Sequence, residues 1–327
     1  MHYDGCHIDM NERHDMLARV ASMYYEQNRN QDEIAREIGV SRSTVSRALQ
    51  DARESGIVEI TVHYPWKRVP ILEQELSDSF DKLRDIRVLA ARSRNHSEIL
   101  RGLGVLAALY LEGVLFDGAI LGISWGAAVY STVRALHPSR SLSVTVVQMV
   151  GAVGAGDSLI DGPDLARLLA SAYDGDSRYL HAPLIVEDAD VQRVLMQEPR
   201  IAATLQLGRT ADIALVGIGA PDAAVSSLLR AGYMTEQDLA DLVARGVMGD
   251  VCARHYDIEG RALDLDVDHR IIGIDLDDLH AIGCVIGVAG GRTKARAILG
   301  ALRGEHIDVL VTDECAAREI LTLNEGA

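Results

Sequence analysis

Lysine is nearly missing from this 327-residue chain: Lys67, Lys82 and Lys294 stand against 29 arginines. Genomic base composition accounts for such a bias, but it leaves Lys294 as the one lysine beyond residue 82. Cysteine is scarce as well. Cys6, Cys252, Cys284 and Cys315 lie far apart and form no CxxC pair, so no metal site is expected, and reduced thiols in the cytoplasm are. Long apolar runs are missing, although 48% of the residues are hydrophobic. Every such run is broken by glycine or charge well short of the roughly 18 residues a membrane span needs, so no membrane association is expected. The opening MHYDGCHIDMNERHD has no basic start followed by an apolar stretch, which argues against a secretion signal. Residues 1–12 read as a flexible polar arm. No internal repeat and no low-complexity tract is visible, and the length suits about two domains.

What is present begins at Gln31, in QDEIAREIGVSRSTVSRALQ. Ile34, Ala35, Ile38, Val40, Val45, Ala48 and Leu49 fall at the spacing of two short helices that bury one face together. Gly39 supplies the left-handed turn between them. Ser41 is placed to cap the second helix through its hydroxyl. With Val45, Ala48 and Leu49 inward, Arg42, Ser43, Ser46, Arg47 and Gln50 share the outer face, beside Thr44 and with Gln31 opening the first helix. Guanidinium forks, hydroxyls and amides hydrogen-bond base edges and phosphates in the major groove of double-stranded DNA. A helix-turn-helix is expected rather than a solvated hairpin. An earlier helix over 13–28 presents Met16, Leu17, Val20, Ala21 and Tyr24 to it. IVEITVHY, residues 57–64, alternates as a strand would and reads as a wing.

The net charge of −16 is odd for a DNA binder until it is located. Between Arg13 and Glu54 there are seven arginines and seven acids, and Ser41 to Gln50 holds no acid. The acidity therefore belongs to the rest of the chain, which repels phosphate and leaves the small N-terminal module to approach DNA. That suits a regulator better than a packaging protein of the nucleoid.

The domain boundary is expected near residues 61–66, with a winged helix-turn-helix over 13–62 and a second domain over 63–327 that starts with a linker helix at 63–84. Strand-like runs at 86–90, 118–123, 142–150, 212–218, 281–289 and 307–312 alternate with helical stretches at 97–115, 127–136, 164–172, 235–244, 293–302 and 313–321. Buried strands separated by helices imply an α/β domain with a mainly parallel, Rossmann-like sheet covered on both faces. Ligands of such sheets bind beyond the carboxyl ends of the strands.

Three loops stand out at those ends. Gly122-Ile-Ser124-Trp125-Gly126 opens a helix that begins with Ala127 and Ala128, and its backbone N–H groups form a candidate anion cradle. A glycine-rich strand-to-helix turn is also ordinary packing. Gly290-Gly-Arg-Thr-Lys294 repeats that logic and adds a cation, unfavourable at a helix N-terminus unless an anion neutralises it. Gly246-Val-Met-Gly-Asp250 offers a carboxylate that either accepts hydrogen bonds from sugar hydroxyls or caps a turn. Gln148 and Gly151 end the strand over 142–150, and Gly217 and Gly219 end that over 212–218, so all four are candidates for the same rim.

These segments, with VVQMVGAVG, ADIALVGIGAP, GVMGDVCARHYDIEG and VIGVAGGRTKARAILGALRGEHIDVLVTDECAAREIL, resemble in order the SorC family of bacterial sugar-responsive transcriptional regulators. The resemblance spans nearly the whole chain from about residue 15. It implies an effector domain similar to glucosamine-6-phosphate deaminase and ribose-5-phosphate isomerase that works as a ligand sensor without a cofactor. It also implies that the GISWG loop and Lys294 hold phosphate while Asp250 faces the sugar. One departure concerns Ala127 and Ala128, where many members carry hydroxyl side chains. Either phosphate is held less tightly there, or the ligand is a sugar or polyol without phosphate at that end.

Function is thus expected to be that of a regulator of a carbohydrate operon, reading its DNA operator as a homodimer or homotetramer. The competing expectation is a sugar-phosphate isomerase, deaminase or aldolase-like enzyme with an accessory DNA-binding module. That reading needs a general base at a substrate carbonyl. Asp250 and Lys294 would be the pair, and His255 and His269 are candidates only by nearness in sequence.

Overall fold

The computed structural model describes residues 10–27, 29–58, 66–91, 95–154 and 161–326. The chain divides between residues 65 and 66 into two compact units.

The first unit is a three-helix cluster of α1 (Met10–Tyr25), α2 (Gln31–Ile38) and α3 (Arg42–Glu54). Asn30 and Glu33 cap α2 reciprocally, Gly39 ends it at φ 69°, and the Ser41 hydroxyl accepts the Thr44 N–H to start α3. Ile34, Ala35, Val45, Ala48, Leu49 and Ala52 close on Leu17, Val20, Ala21 and Met23 of α1. Two side chains expected inside are not: Met16 and Val40 are 43% and 39% exposed. Val40 stands between the helices, where the left-handed turn at Gly39 points the following residue outward. Of the expected wing, Ile57 and Val58 pack partly against this core, and the rest lies outside the described residues.

The second unit is an α/β domain. Its helices are α4 (Pro70–Ser79), α5 (His96–Val114), α6 (Ala127–Ala135), α7 (Gly162–Ala172), α8 (Ala189–Met196), α9 (Pro199–Arg209), α10 (Ser227–Arg230), α11 (Glu236–Ala244), α12 (Leu276–Leu279), α13 (Ala295–Arg303) and α14 (Glu314–Glu325). Its strands are β1 (Asp85–Leu89), β2 (Ile120–Ile123), β3 (Thr145–Gln148), β4 (Asp176–Arg178), β5 (Ile213–Gly219), β6 (Gly249–Val251), β7 (Arg254–Tyr256), β8 (Val285–Val288) and β9 (Val309–Asp313). Seven strands pair in the order β1-β9-β8-β5-β2-β3-β4, all parallel. The hairpin β6–β7 adds antiparallel strands to the end of β5.

Alternation along each strand feeds two cores. Ile213 and Leu215 of β5 face α5, α6 and α7, whereas Ala214, Val216 and Ile218 join the core with α4, α9, α13 and α14. The linker helix is only Pro70–Ser79, shorter than the 63–84 span expected. Proline at its first position fixes the start and disfavours helix in the residue before it. Elements such as β4, α8, α9 and the β6–β7 hairpin escape sequence reading because they are short or lack an apolar period.

Close helix packing depends on Gly104 of α5. A Cβ there would lie 2.4 Å from the Ser131 carbonyl oxygen on α6. Gly104→Ala should force the helices apart and cost about 1–3 kcal/mol, read as a lower urea midpoint of the full-length protein.

Candidate functional site

In the first unit, α3 presents Arg42, Ser43, Thr44, Ser46, Arg47 and Gln50 to solvent. Gln31 is half-buried at the first position of α2. Capping fixes this face: Ser41 contacts the hydroxyls of Ser43 and Thr44, each at 2.8 Å. Arg42 lies 3.8 Å from Asp32 with both side chains mostly exposed, a pairing weak enough for DNA phosphate to replace. The helix runs past Gln50 to Glu54, so it carries acids after all. Asp51 is engaged by Arg13 at 2.9 Å, and Glu54 accepts from the Gln50 amide at 2.8 Å.

In the second unit, a cleft opens beyond the carboxyl ends of β2, β5 and β8. It holds a cavity of about 70 Å³ within about 770 Å³ of empty space that includes open solvent. It lies where the chain order reverses, since β2 leads outward to β3 while β5 leads to β8 and β9. Ser124, Trp125, Gly126, Ala127, Ala128, Asp250, Gly290 and Lys294 all line it.

Gly126 at φ 115° begins α6 with no side-chain cap. The first amides of that helix therefore face the cleft with the positive end of its dipole. The Ser124 hydroxyl is less available than the motif suggests, because it accepts the Gly217 N–H at 3.3 Å and ties β2 to β5. The Gly290 loop also differs from expectation. Its Gly291 N–H donates to Asp313, and a 3₁₀ turn over Arg292–Lys294 comes before α13. Lys294 therefore precedes the helix, and its ammonium donates to the Ile218 carbonyl at 2.6 Å. Burial pulls its pKa below the usual lysine range, against the opposing pull of Asp250.

Asp250 sits on β6 rather than in a loop. Its carboxylate lies over Gly219, where a Cβ would come within 1.9 Å of Oδ1. Burial raises its pKa, while His255 and Lys294 work the other way and the Ala253 N–H binds the charged form. Beside the hairpin turn, it forms part of the cleft wall.

Three expected residues are elsewhere. Gly122 is buried against Met149, whose Sδ would lie 2.5 Å from an added Cβ. Gln148 is fully buried, donating to the Val150 carbonyl and accepting the Leu180 N–H. Gly151 packs on the Pro183 backbone. These three assignments are corrected: Gly122 lies within β2, short of its end and packed on Met149, and Gln148 and Gly151 belong to β3 and the segment after it, one strand further from the cleft. His255 is buried against Asp268, and His269 is exposed against Asp264; neither lines the cleft.

Sequence reading missed His96, Ser227, Arg230, Cys252 and Ala253, which also line it. Arg230 ends the four-residue α10 and acts on Lys294 as a nearby positive charge. One arginine among 29 carries no signal of its own. Cys252 and Ala253 form the two-residue turn between β6 and β7 at φ 54° and 62°. That left-handed pair suits hairpin twist but is normally given to Asn or Gly. The Cys252 thiol is buried, which pushes its pKa up to about 12.

Arg254 holds the hairpin in place. Its nearly buried guanidinium donates to the carbonyls of Asp268, Ile271, Gly273 and Ile274 and meets Asp275 at 3.0 Å. Arg254→Met should strand these acceptors and cost about 3 kcal/mol or more, seen as a lowered unfolding midpoint.

A family model for a sugar-binding domain matches residues 66–322, and one for region 4 of sigma-70 matches residues 18–55. The sorbitol operon regulator of Klebsiella pneumoniae is 34% identical over 308 residues, covering 94% of this chain and 97% of that protein. The deoxyribonucleoside regulator of Bacillus subtilis is 32% identical over 311 residues, covering 95% and 98%. The crystal structure of the full-length sorbitol operon regulator SorC from K. pneumoniae superposes with a TM-score of 0.72 at 33% identity, covering 97% of this chain and all of that one. A helix-turn-helix with an exposed polar face, a parallel α/β unit with a cleft at its strand ends, and end-to-end similarity to such proteins lead to one conclusion. This chain belongs to the SorC family of transcriptional regulators, in which a DNA-binding helix-turn-helix is joined to a sugar-binding domain.

Proposed function

We propose that this regulator controls a carbohydrate-metabolism operon and that a phosphorylated sugar or polyol, bound in the cleft at the ends of β2, β5 and β8, sets its activity. One observation carries the reading: Lys294, Arg230 and the uncapped start of α6 line the same cleft as the Asp250 carboxylate, so that it offers positive potential and a hydrogen-bond acceptor together. Phosphate accepts hydrogen bonds from ammonium, guanidinium and backbone N–H groups, and a carboxylate accepts them from sugar hydroxyls. Arg230 also answers the loss of hydroxyls at Ala127 and Ala128, since a guanidinium can replace two neutral donors. The cleft acts as a sensor: Asp250 and Lys294 hold protein groups in the absence of ligand, and neither histidine raised by the sequence reaches it.

DNA recognition is assigned to α3, with Arg42 and Arg47 as the base- or phosphate-reading cations and Ser43, Thr44, Ser46, Gln50 and Gln31 as supporting contacts. A homodimer or homotetramer would place such helices on a partly symmetric operator. Ligand binding would change DNA affinity by favouring one arrangement of the assembly.

Two experiments test this reading. Arg42→Ala or Arg47→Ala should each weaken operator binding by about 1–3 kcal/mol if a bidentate base contact is lost; unchanged affinity in both variants removes the assignment of α3. A thermal-shift screen of sugars, polyols and their phosphates should reveal an effector through a raised melting temperature. Lys294→Ala should abolish that shift for phosphorylated compounds and leave operator affinity in the absence of effector unchanged. A full shift in Lys294→Ala would end the phosphate assignment.

A further inference from the structure

Behind the cleft wall lies a second acidic side chain that the ligand reading does not use. Asp250 and His255 are paired directly across the β6–β7 hairpin. Directly opposed residues of an antiparallel pair project to the same face. His255 is 3% exposed, and its Nδ1 lies 2.6 Å from Asp268 Oδ1. Asp268 belongs to the segment whose carbonyls Arg254 grips, so the same element that anchors the hairpin delivers this carboxylate to His255. The turn that sets the pairing, Cys252–Ala253, is itself held by the Ala253 N–H donating to Asp250. His255 thus stands between two carboxylates, hydrogen-bonded to Asp268 and paired across the hairpin with Asp250, which lines the cleft.

We propose that His255, clamped by Asp268, is a positioning residue that holds Asp250 at the cleft wall and favours its ionised form, so that this wall accepts hydrogen bonds from a ligand. The proposal rests on the reading of Asp250 as the hydroxyl-binding group and names what that group selects. An ionised carboxylate takes O–H donors from a neutral polyhydroxyl end. It rejects a sugar acid there, whose carboxylate it would face charge to charge.

Electrostatics agree with this geometry. Burial alone would lower the His255 pKa, but the hydrogen bond and charge of Asp268, together with Asp250, outweigh it and the net direction is upward. Arg254 opposes them weakly. On Asp250, burial favours the neutral acid and the net direction is upward; His255 and Lys294 oppose it and favour the carboxylate, while the charge of Asp268 adds to the upward pull. A cation stands on each side of it, His255 behind and Lys294 within the cleft.

The test uses full-length protein labelled with ¹⁵N-histidine and with ¹³C at the aspartate carboxyl carbon, titrated by NMR without ligand. Single substitutions identify the His255 and Asp250 signals. In His255→Gln the Asp250 carboxyl should titrate at higher pH, by about half a unit or more. In Asp250→Asn the His255 ring should titrate at lower pH by a similar amount, a result that stands even if His255→Gln does not fold. A purely structural histidine would leave both midpoints where they are, and unchanged midpoints overturn the proposal. Because no ligand is added, this outcome is independent of the effector screen, which tests the sugar-phosphate reading itself.

Discussion

The cleft proposed to bind the effector depends on placing an ammonium and a carboxylate in one wall. Lys294 loses hydration when it turns inward, and the Ile218 carbonyl at 2.6 Å restores one of its hydrogen bonds. Asp250 supplies the opposing charge. Both partners are carried by β5 or by the strand paired to its end. The parallel pairing of β2, β5 and β8 is therefore more than a scaffold. It brings three neighbouring strand ends to one side, so that a helix start, a lysine and a hairpin acid line one space.

The same economy governs the two units differently. In the first, one apolar face per helix closes a small core, and what the core does not use on α3 is its exposed polar face. In the second, side chains alternate into two cores and the exposed chemistry is confined to strand ends. Charge follows this division: the net negative charge belongs to the second part of the chain, while α3 keeps its arginines outward.

Legibility tracked how local each determinant is. Gly39 and Ser41 act within a few residues, so the turn and the cap of α3 could be read directly, and both are observed. Gly126 and Gly291 mark strand-to-helix turns for the same reason, with φ of 115° and 91°. Gln148 and Gly151 misled because they also end a strand, but β3 lies on the far side of β2 from β5. Strand order is a property of long-range pairing and leaves no mark in a window of ten residues. Arg230 and His255 were invisible or unplaced for a related reason: each gains its meaning from a side chain at least five residues away that faces it only in the folded chain.

By itself, then, the sequence determined most of the longer helices and strands, the exposed polar face of α3, and that the glycine loops open helices, because each depends on neighbours along the chain. The tertiary structure alone decided which loops meet, that the Lys294 ammonium turns onto the Ile218 carbonyl, and that His255 stands opposite Asp250 across the hairpin. Those are matters of strand order and hairpin register, set by packing between residues distant in sequence.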